Sequence, residues 1–512
     1  MKTLTHTYVL LIALVAALPH VARAASGAQA PTRPNVLFIA IDDLRPSLGC
    51  YGETLARSPN IDRLAETGLR FQRAYCQQAV CGPSRTCLLT GLLPDRTRVW
   101  HNRNLFRDTH PDAVPLPQLF KNHGYHTQSL GKVFSGRTRE DDPASWSVPS
   151  VLVGEGWKSY VLPENLRSGK QSPTEMADVP DEAYRDGQLA KLAVETLENL
   201  RQQARPFFLA VGFFKPHLPF NAPKTYWNRY DPAVFRGQAL GARTLGAPEL
   251  AYPDHLELGG YRGIPEDERV SPEQACHLRH GYYACVSYVD AQVGKVLGAL
   301  ERLGLGGNTI VVLWGDHGYS LGEAGHWCKD TNFELDTRVP LIMRVPGVTM
   351  AGAATEALIE YVDIYPTLAE LAGLPVPDGL DGTSLVPILQ NPRRPGREIV
   401  LSQFSRPFKP SLPKVMGYSI RTDTHRYTRW VQWPGRTLMA EELYDYTSVA
   451  GALRMGAFLV ERQNLVQDPA YAETRDRLRL RMDGVLRERM AEAVSPSEPG
   501  GVAKPEDKKN RQ

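Results

Sequence analysis

The 512-residue chain contains no C-x-x-C pair and no H-E-x-x-H, so the common zinc-ligand spacings are absent and a zinc site is not expected. Neither sign of charge dominates. A formal net charge of +3 carries no general electrostatic signature for nucleic acid or an anionic membrane. Long apolar runs are missing as well. The longest, Tyr8 to Leu18, falls well short of the ~20 residues that a spanning helix needs, so no membrane span is expected. There is no internal repeat. No N-x-S/T sequon occurs, which leans toward a bacterial source.

What is present begins with an export signal. Lys2 precedes the apolar run, and Ala22-Arg23-Ala24 offers small residues to a signal peptidase. Cleavage leaves a protein that works outside the cytoplasm, periplasmic or extracellular. Composition is that of an ordinary globular protein, 42% hydrophobic and 22% charged, and the length suits one large domain plus a smaller one. Seven cysteines is an odd count for an exported chain and flags one thiol with a separate purpose.

After an Ala/Gly/Pro-rich spacer (25–33), strand and helix signals alternate. Val36 to Ile41 is a continuous apolar run, as expected of a strand buried on both faces. A helix follows, with Ser58 at the N-cap, Pro59 in its first position, Ile61 and Leu64 inward and Gly68 as the stop. Pro117 to His123 reads as a helix before the strand Tyr125 to Leu130. Leu189, Ala193, Leu197 and Leu200 share a helix face ahead of the strand Phe207 to Phe213. Val286, Val289, Val293, Val296 and Leu300 do the same ahead of Ile310 to Trp314. This alternation predicts an α/β fold with a large, mainly parallel sheet covered by helices on both faces, over residues 34–394. Beyond about 395, short strands at Glu398 to Phe404, Gly417 to Arg421 and Arg426 to Trp430 predict a small antiparallel sheet. A helix from Glu473 to Met490 would pack on it through Leu478, Met482 and Leu486, closing a C-terminal unit of 395–494. The Pro/Gly/Lys-rich tail 495–512 reads as disordered.

Ligands of open α/β sheets sit beyond the carboxyl ends of the strands. The four apolar runs lead into Asp42-Asp43, Gly131-Lys132, Lys215-Pro216-His217 and Gly315-Asp316-His317. Taken alone, Asp42-Asp43 would be solvated turn residues. Gathered with Asp316, the carboxylates would repel one another unless a cation joined them, and their oxygens favour a hard ion such as Ca²⁺ or Mg²⁺. His317 is a less usual partner for such an ion.

The segment Cys81-Gly82-Pro83-Ser84-Arg85-Thr86-Cys87-Leu88-Leu89-Thr90-Gly91 reads as a helix with Pro83 in its first turn. Cys81 then sits at the helix N-terminus, where a thiol is normally acidified, and Arg85, one turn on, would hold an oxyanion through its fork. This segment resembles the sulfatase family signature C-x-P-S-R-x-x-x-L-T-G at every defined position. The resemblance spans nearly the whole mature chain. Phe207-Phe208-Leu209-Ala210-Val211-Gly212, Lys215-Pro216-His217, Asp316-His317 and Met416-Gly417-Tyr418-Ser419-Ile420-Arg421 resemble the branch that removes 2-O-sulfate from uronates.

The resemblance implies an alkaline-phosphatase-like sandwich and a sulfuric ester hydrolase acting on sulfated oligo- or polysaccharides such as glycosaminoglycans. It implies that a formylglycine-generating enzyme converts Cys81 to formylglycine. It further implies that Asp42, Asp43, Asp316 and His317 hold one Ca²⁺ beside residue 81, and that Lys132 and Lys329 neutralise the sulfate. His217, with Lys329, would protonate the departing sugar oxygen. One departure stands out: Ser135 occupies the place where the family usually has a histidine after the lysine. His101, His317 and His326 are the candidate histidines to take its part in space.

Three other readings compete. Gly318-Tyr319-Ser320-Leu321-Gly322 matches the G-x-S-x-G of serine esterases but lacks a strand directly before it. A phosphodiester or phosphonate ester hydrolase would share the scaffold. A non-catalytic binder of sulfated glycans would explain the missing histidine. Oligomeric state is not legible.

Overall fold

The computed structural model describes residues 33–134, 141–154, 158–236, 240–409, 412–447 and 461–490. The export signal, the spacer up to Thr32, Ser135 and the C-terminal tail lie outside the described residues.

Seven strands, β1 (Asn35–Ile41), β2 (Leu69–Tyr75), β3 (His126–Gly131), β5 (Phe207–Phe213), β7 (Thr309–Gly315), β10 (Arg338–Arg344) and β11 (Ala353–Glu360), form one sheet in the order β11-β2-β10-β7-β1-β5-β3. All neighbours run parallel except β10, which is antiparallel to both β2 and β7. The sheet is therefore mixed but mainly parallel. The apolar runs of β1, β5 and β7 are continuous because each face of the sheet is covered. Leu37, Ile39, Leu209, Val211, Val311 and Leu313 pack on one side with Leu189, Leu197, Val286 and Val293 from the helices Arg185–Arg201 and Pro272–Arg302. Val36, Phe38, Phe208, Ala210, Val312 and Trp314 pack on the other with Leu88, Leu119, Phe120, Ile364 and Leu368.

Two short pairings, β4 (Thr174–Ala177) with β6 (Phe220–Pro223) and β8 (Ser320–Leu321) with β9 (Trp327–Cys328), lie outside this sheet. Four further strands, β12 (Val400–Arg406), β13 (Val415–Arg421), β14 (His425–Gln432) and β15 (Leu438–Asp445), make an antiparallel meander. Leu478, Met482 and Leu486 of the helix Ala472–Met490 pack with Tyr418, Ile420 and Tyr427 of this meander. No helix among the described residues is long and apolar enough to cross a membrane.

Candidate active site

Register explains why distant residues meet. Ile41 pairs with Phe213 on one side and Gly315 on the other, and Gly131 pairs with Gly212. The carboxyl ends of β1, β3, β5 and β7 are thus level. The next amides continue the ladder: Asp42 N donates to Phe213 O, Asp316 N to Ile41 O and Lys132 N to Gly212 O. Two glycines make room at this edge. Gly131 has φ +75°, and a Cβ there would sit 2.2 Å from Gly212 O, while a Cβ on Gly212 would sit 2.0 Å from Lys132 O.

Cys81 opens the helix Cys81–Thr90, which ends at Gly91 in the left-handed region. Its Sγ lies 3.4 Å from Nε2 of His317. Ligand atoms of Asp42, Asp43, Cys81 and His217 lie within 4.8 Å of one another, as do those of Cys81, Asp316 and His317. All six residues are buried. His317 Nδ1 lies 2.9 Å from the Gly318 carbonyl, so Nδ1 carries the hydrogen and Nε2 is the nitrogen turned toward Cys81, Asp43 and Asp316. Three carboxylates and an imidazole Nε2 are a donor set that suits a hard divalent cation.

The basic residues tie into the same carboxylates. Arg85 Nε donates to Asp316 Oδ2 at 2.9 Å and Nη2 to Asp42 Oδ1 at 3.0 Å, while Nη1 donates to the carbonyls of Lys132 and Val133. Lys132 Nζ donates to Asp42 Oδ2 at 2.6 Å. Lys329 Nζ donates to both carboxylate oxygens of Asp43 at 3.0 Å. Ser84 Oγ donates to the Asp316 carbonyl, fixing the helix against the end of β7. Burial pushes Asp42 up, but Lys132, His217 and Arg85 together hold it well below the ordinary carboxylate range. Burial opposes the charge on Lys132, and Asp42 more than restores it.

Two expectations change here. The thiol of Cys81 is not acidified. Burial pushes it well above the ordinary thiol range and Asp42 adds to the rise, while Lys132 opposes it. The positive end of a ten-residue helix does not offset removal from water beside two aspartates. Arg85, fully buried, does not present its fork to an incoming oxyanion; it clamps Asp42 and Asp316.

His217 lies in the loop after β5. Its Nδ1 is 2.5 Å from the Leu218 carbonyl, and its Nε2 is 3.5 Å from Oε1 of Glu257. Burial lowers its basicity. Glu257, which no motif singled out, also accepts from Lys329 Nζ at 3.0 Å. Burial raises this carboxyl, yet Lys329 and then His217 bring it down to about 2. Of the other histidines weighed for the place of Ser135, His326 faces Asp336 at 3.2 Å and the His101 ring packs on Phe408. Ser320 of the G-x-S-x-G run is buried on β8 and donates to Asp336 Oδ1, which leaves no nucleophile elbow there.

Comparison with known proteins follows the same line. The sulfatase family model matches residues 34–374, and the model described as N-sulphoglucosamine sulphohydrolase, C-terminal, matches residues 322–488. The iduronate 2-sulfatase of Mus musculus is 40% identical over 489 residues, covering 80% of this chain and 86% of the relative; that of Homo sapiens is 38% identical, covering 78% and 85%. Among solved structures, a phosphonate monoester hydrolase from Silicibacter pomeroyi superposes with a TM-score of 0.71 at 24% identity, covering 90% of this chain and 97% of that one.

Proposed function

The chain belongs to the sulfatase family and is a sulfuric ester hydrolase, and from that premise we propose that it is an exported enzyme that removes 2-O-sulfate from uronate residues of a glycosaminoglycan-like polysaccharide. The observation that carries the reading is the convergence of three carboxylates and His317 Nε2 on residue 81, with two lysines at the same edge.

In this reading Cys81 is converted to formylglycine by a formylglycine-generating enzyme. Residue 81 then supplies a geminal diol, one hydroxyl of which displaces the sugar oxygen from sulfur while the other expels sulfate on losing its proton. Asp42, Asp43, Asp316 and His317 would hold one Ca²⁺, whose chemistry when bound is to polarise oxygen and neutralise developing charge. The chain's own residues do the rest. Arg85 bridges Asp42 and Asp316 through its guanidinium. Lys132 and Lys329 supply ammonium groups to sulfate oxygens as charge spreads over them. His217 and Lys329 protonate the sugar oxygen. A raised thiol at residue 81 is no obstacle, because a diol replaces the thiol as nucleophile.

The test is mass spectrometry of the peptide containing residue 81 after co-expression with a formylglycine-generating enzyme, together with sulfate release from 2-O-sulfated uronates and from sulfated amino sugars. Conversion with release from the uronates is expected. Release only from non-uronate sugars would overturn the substrate assignment, and an unconverted but fully active protein would overturn the nucleophile.

A further inference from the structure

We propose that Glu257 is a positioning residue for leaving-group protonation, holding His217 and Lys329 on the side of the site where the sugar oxygen departs. The proposal deepens the reading above and rests on its assignment of those two residues as proton donors.

Glu257 does not belong to the sheet. It lies between the short 3-10 turns Glu249–Ala251 and Leu258–Gly260, on a segment fastened from both sides. Asp254 accepts the Phe408 amide at 3.1 and 2.9 Å, the Gly259 amide donates to Glu268 Oε1 at 3.0 Å, and Lys170 Nζ donates to the Gly259 carbonyl at 3.0 Å. A glutamate at such a place has a defined direction, unlike a loose surface acid.

That direction brings its two oxygens onto the two donor atoms themselves. Oε1 lies 3.5 Å from His217 Nε2, and Oε2 lies 3.0 Å from Lys329 Nζ. His217 has only Nε2 to offer to the site, since Nδ1 is committed to the Leu218 carbonyl, which accepts and cannot donate. The loop carrying it is itself held, because Lys215 Nζ donates to the carbonyls of His217 and Pro219 at 2.7 and 2.5 Å. An ammonium has three hydrogens. Asp43, through both of its oxygens, and Glu257, through Oε2, engage Lys329 from two directions. The Glu257 side chain is 19% exposed, against 4% for Lys329 and 8% for His217, so it stands on the entry side of the pair. Removing its charge leaves each donor held from one side only.

The step this serves is the breaking of the bond between sulfur and the sugar oxygen. A hydroxyl oxygen of residue 81, its proton already lost to solvent, forms the new bond to sulfur, the electron pair of the broken bond stays on the sugar oxygen, and a proton passes to that oxygen from Nε2 of the doubly protonated His217 ring, which is left neutral with its hydrogen on Nδ1. An alkoxide leaving group needs that proton; a 4-nitrophenolate does not. A positioning role therefore predicts selectivity by leaving group, which a merely structural role does not.

The experiment uses the full chain with residue 81 converted, as wild type, Glu257→Gln and Glu257→Ala, with thermal melting checked for each. For the sugar sulfate, kcat is expected to fall about 30- to 100-fold at little change in KM, and for 4-nitrophenyl sulfate by less than about threefold. Equal losses on both esters, or no loss on either, would overturn the proposal while leaving the saccharide reading intact. A wild-type protein that cleaves the aryl ester but no sugar sulfate would sink the saccharide reading, and the proposal with it. Glu257→Gln keeps the side chain's shape, so the selectivity can be read even where Glu257→Ala folds poorly.

Discussion

Replacing Arg85 with methionine removes a guanidinium that has no exposed surface and bridges two carboxylates. Breaking a buried pair by deleting one partner costs about 3–5 kcal/mol, because the charge left behind is uncompensated. The two halves of the loss are unequal. Asp42 keeps Lys132 at 2.6 Å, whereas Oδ2 of Asp316 is left with His317 Nε2 at 3.6 Å, too long for a good hydrogen bond. Most of the cost should therefore come through Asp316. Arg85→Met is expected to destabilise the fold by about 3–5 kcal/mol. In an Asp316→Asn background, where no charge is orphaned, the same change should cost about 2 kcal/mol less, the range of coupling seen for residues in one network. The assay is urea unfolding followed by tryptophan fluorescence at neutral pH with a chelator present, so that no added cation compensates. Strict additivity of the two changes would refute the claim that the cost of losing Arg85 falls mainly on Asp316.

Millimolar Ca²⁺ should raise the melting temperature of the wild type, a hundredfold excess over Kd being worth about 2.7 kcal/mol, and Asp42→Asn or Asp43→Asn should abolish the rise in a thermal shift assay. An undiminished rise in both variants would place the cation elsewhere. Glu461 makes a separate prediction: burial outweighs Arg426 and raises its carboxyl from 4.5 to about 7. The native state then holds a proton that the unfolded chain releases, so this contribution is complete below pH 4.5 and is lost as pH rises toward 7. Its full span is about 3 kcal/mol at 1.36 kcal/mol per pH unit. Glu461→Gln should flatten the fall in stability between pH 5 and 7, and an unchanged slope in urea titrations would refute the assignment.

The strands whose ends build the site were legible because each is buried on both faces, which leaves an uninterrupted apolar run followed by the first polar residue. Those at the other edge were not, for reasons each sequence shows. β2 reads Leu-Arg-Phe-Gln-Arg-Ala-Tyr, with Arg70 and Arg73 breaking the run. β10 contains Pro340, which argues against a strand, although its register does shift at that point. β11, and likewise β15 of the meander, rich in Ala, Glu and Leu, carry helix-forming composition that tertiary pairing overrides. In the site, the positions of Cys81 and Arg85 were readable from spacing, but the acidity of the one and the partners of the other depend on burial, which spacing does not report. Glu257 lies in a stretch with no periodicity and no motif; only its contacts single it out.

Asp42 and Asp43 show how much of the chemistry rests on a single backbone angle. Successive residues of an extended strand point to opposite faces, so an Asp-Asp pair continuing β1 would send only one carboxylate to the site. Asp43 instead has φ +59°, a left-handed conformation that costs a non-glycine residue of order 1–3 kcal/mol and persists only when its surroundings over-determine it. They do: its amide donates to Asp316 Oδ1 at 3.0 Å, its carbonyl accepts from the Tyr282 hydroxyl at 2.9 Å, and Lys329 grips its side chain. The turn lets adjacent residues meet different lysines while their oxygens stay within 4.8 Å of the Cys81 sulfur. Glycine at 43 would relieve the backbone and remove the carboxylate, so the strain and the charge are retained together. Tyr282, a residue of the long helix Pro272–Arg302, is thereby part of what puts the second carboxylate in place.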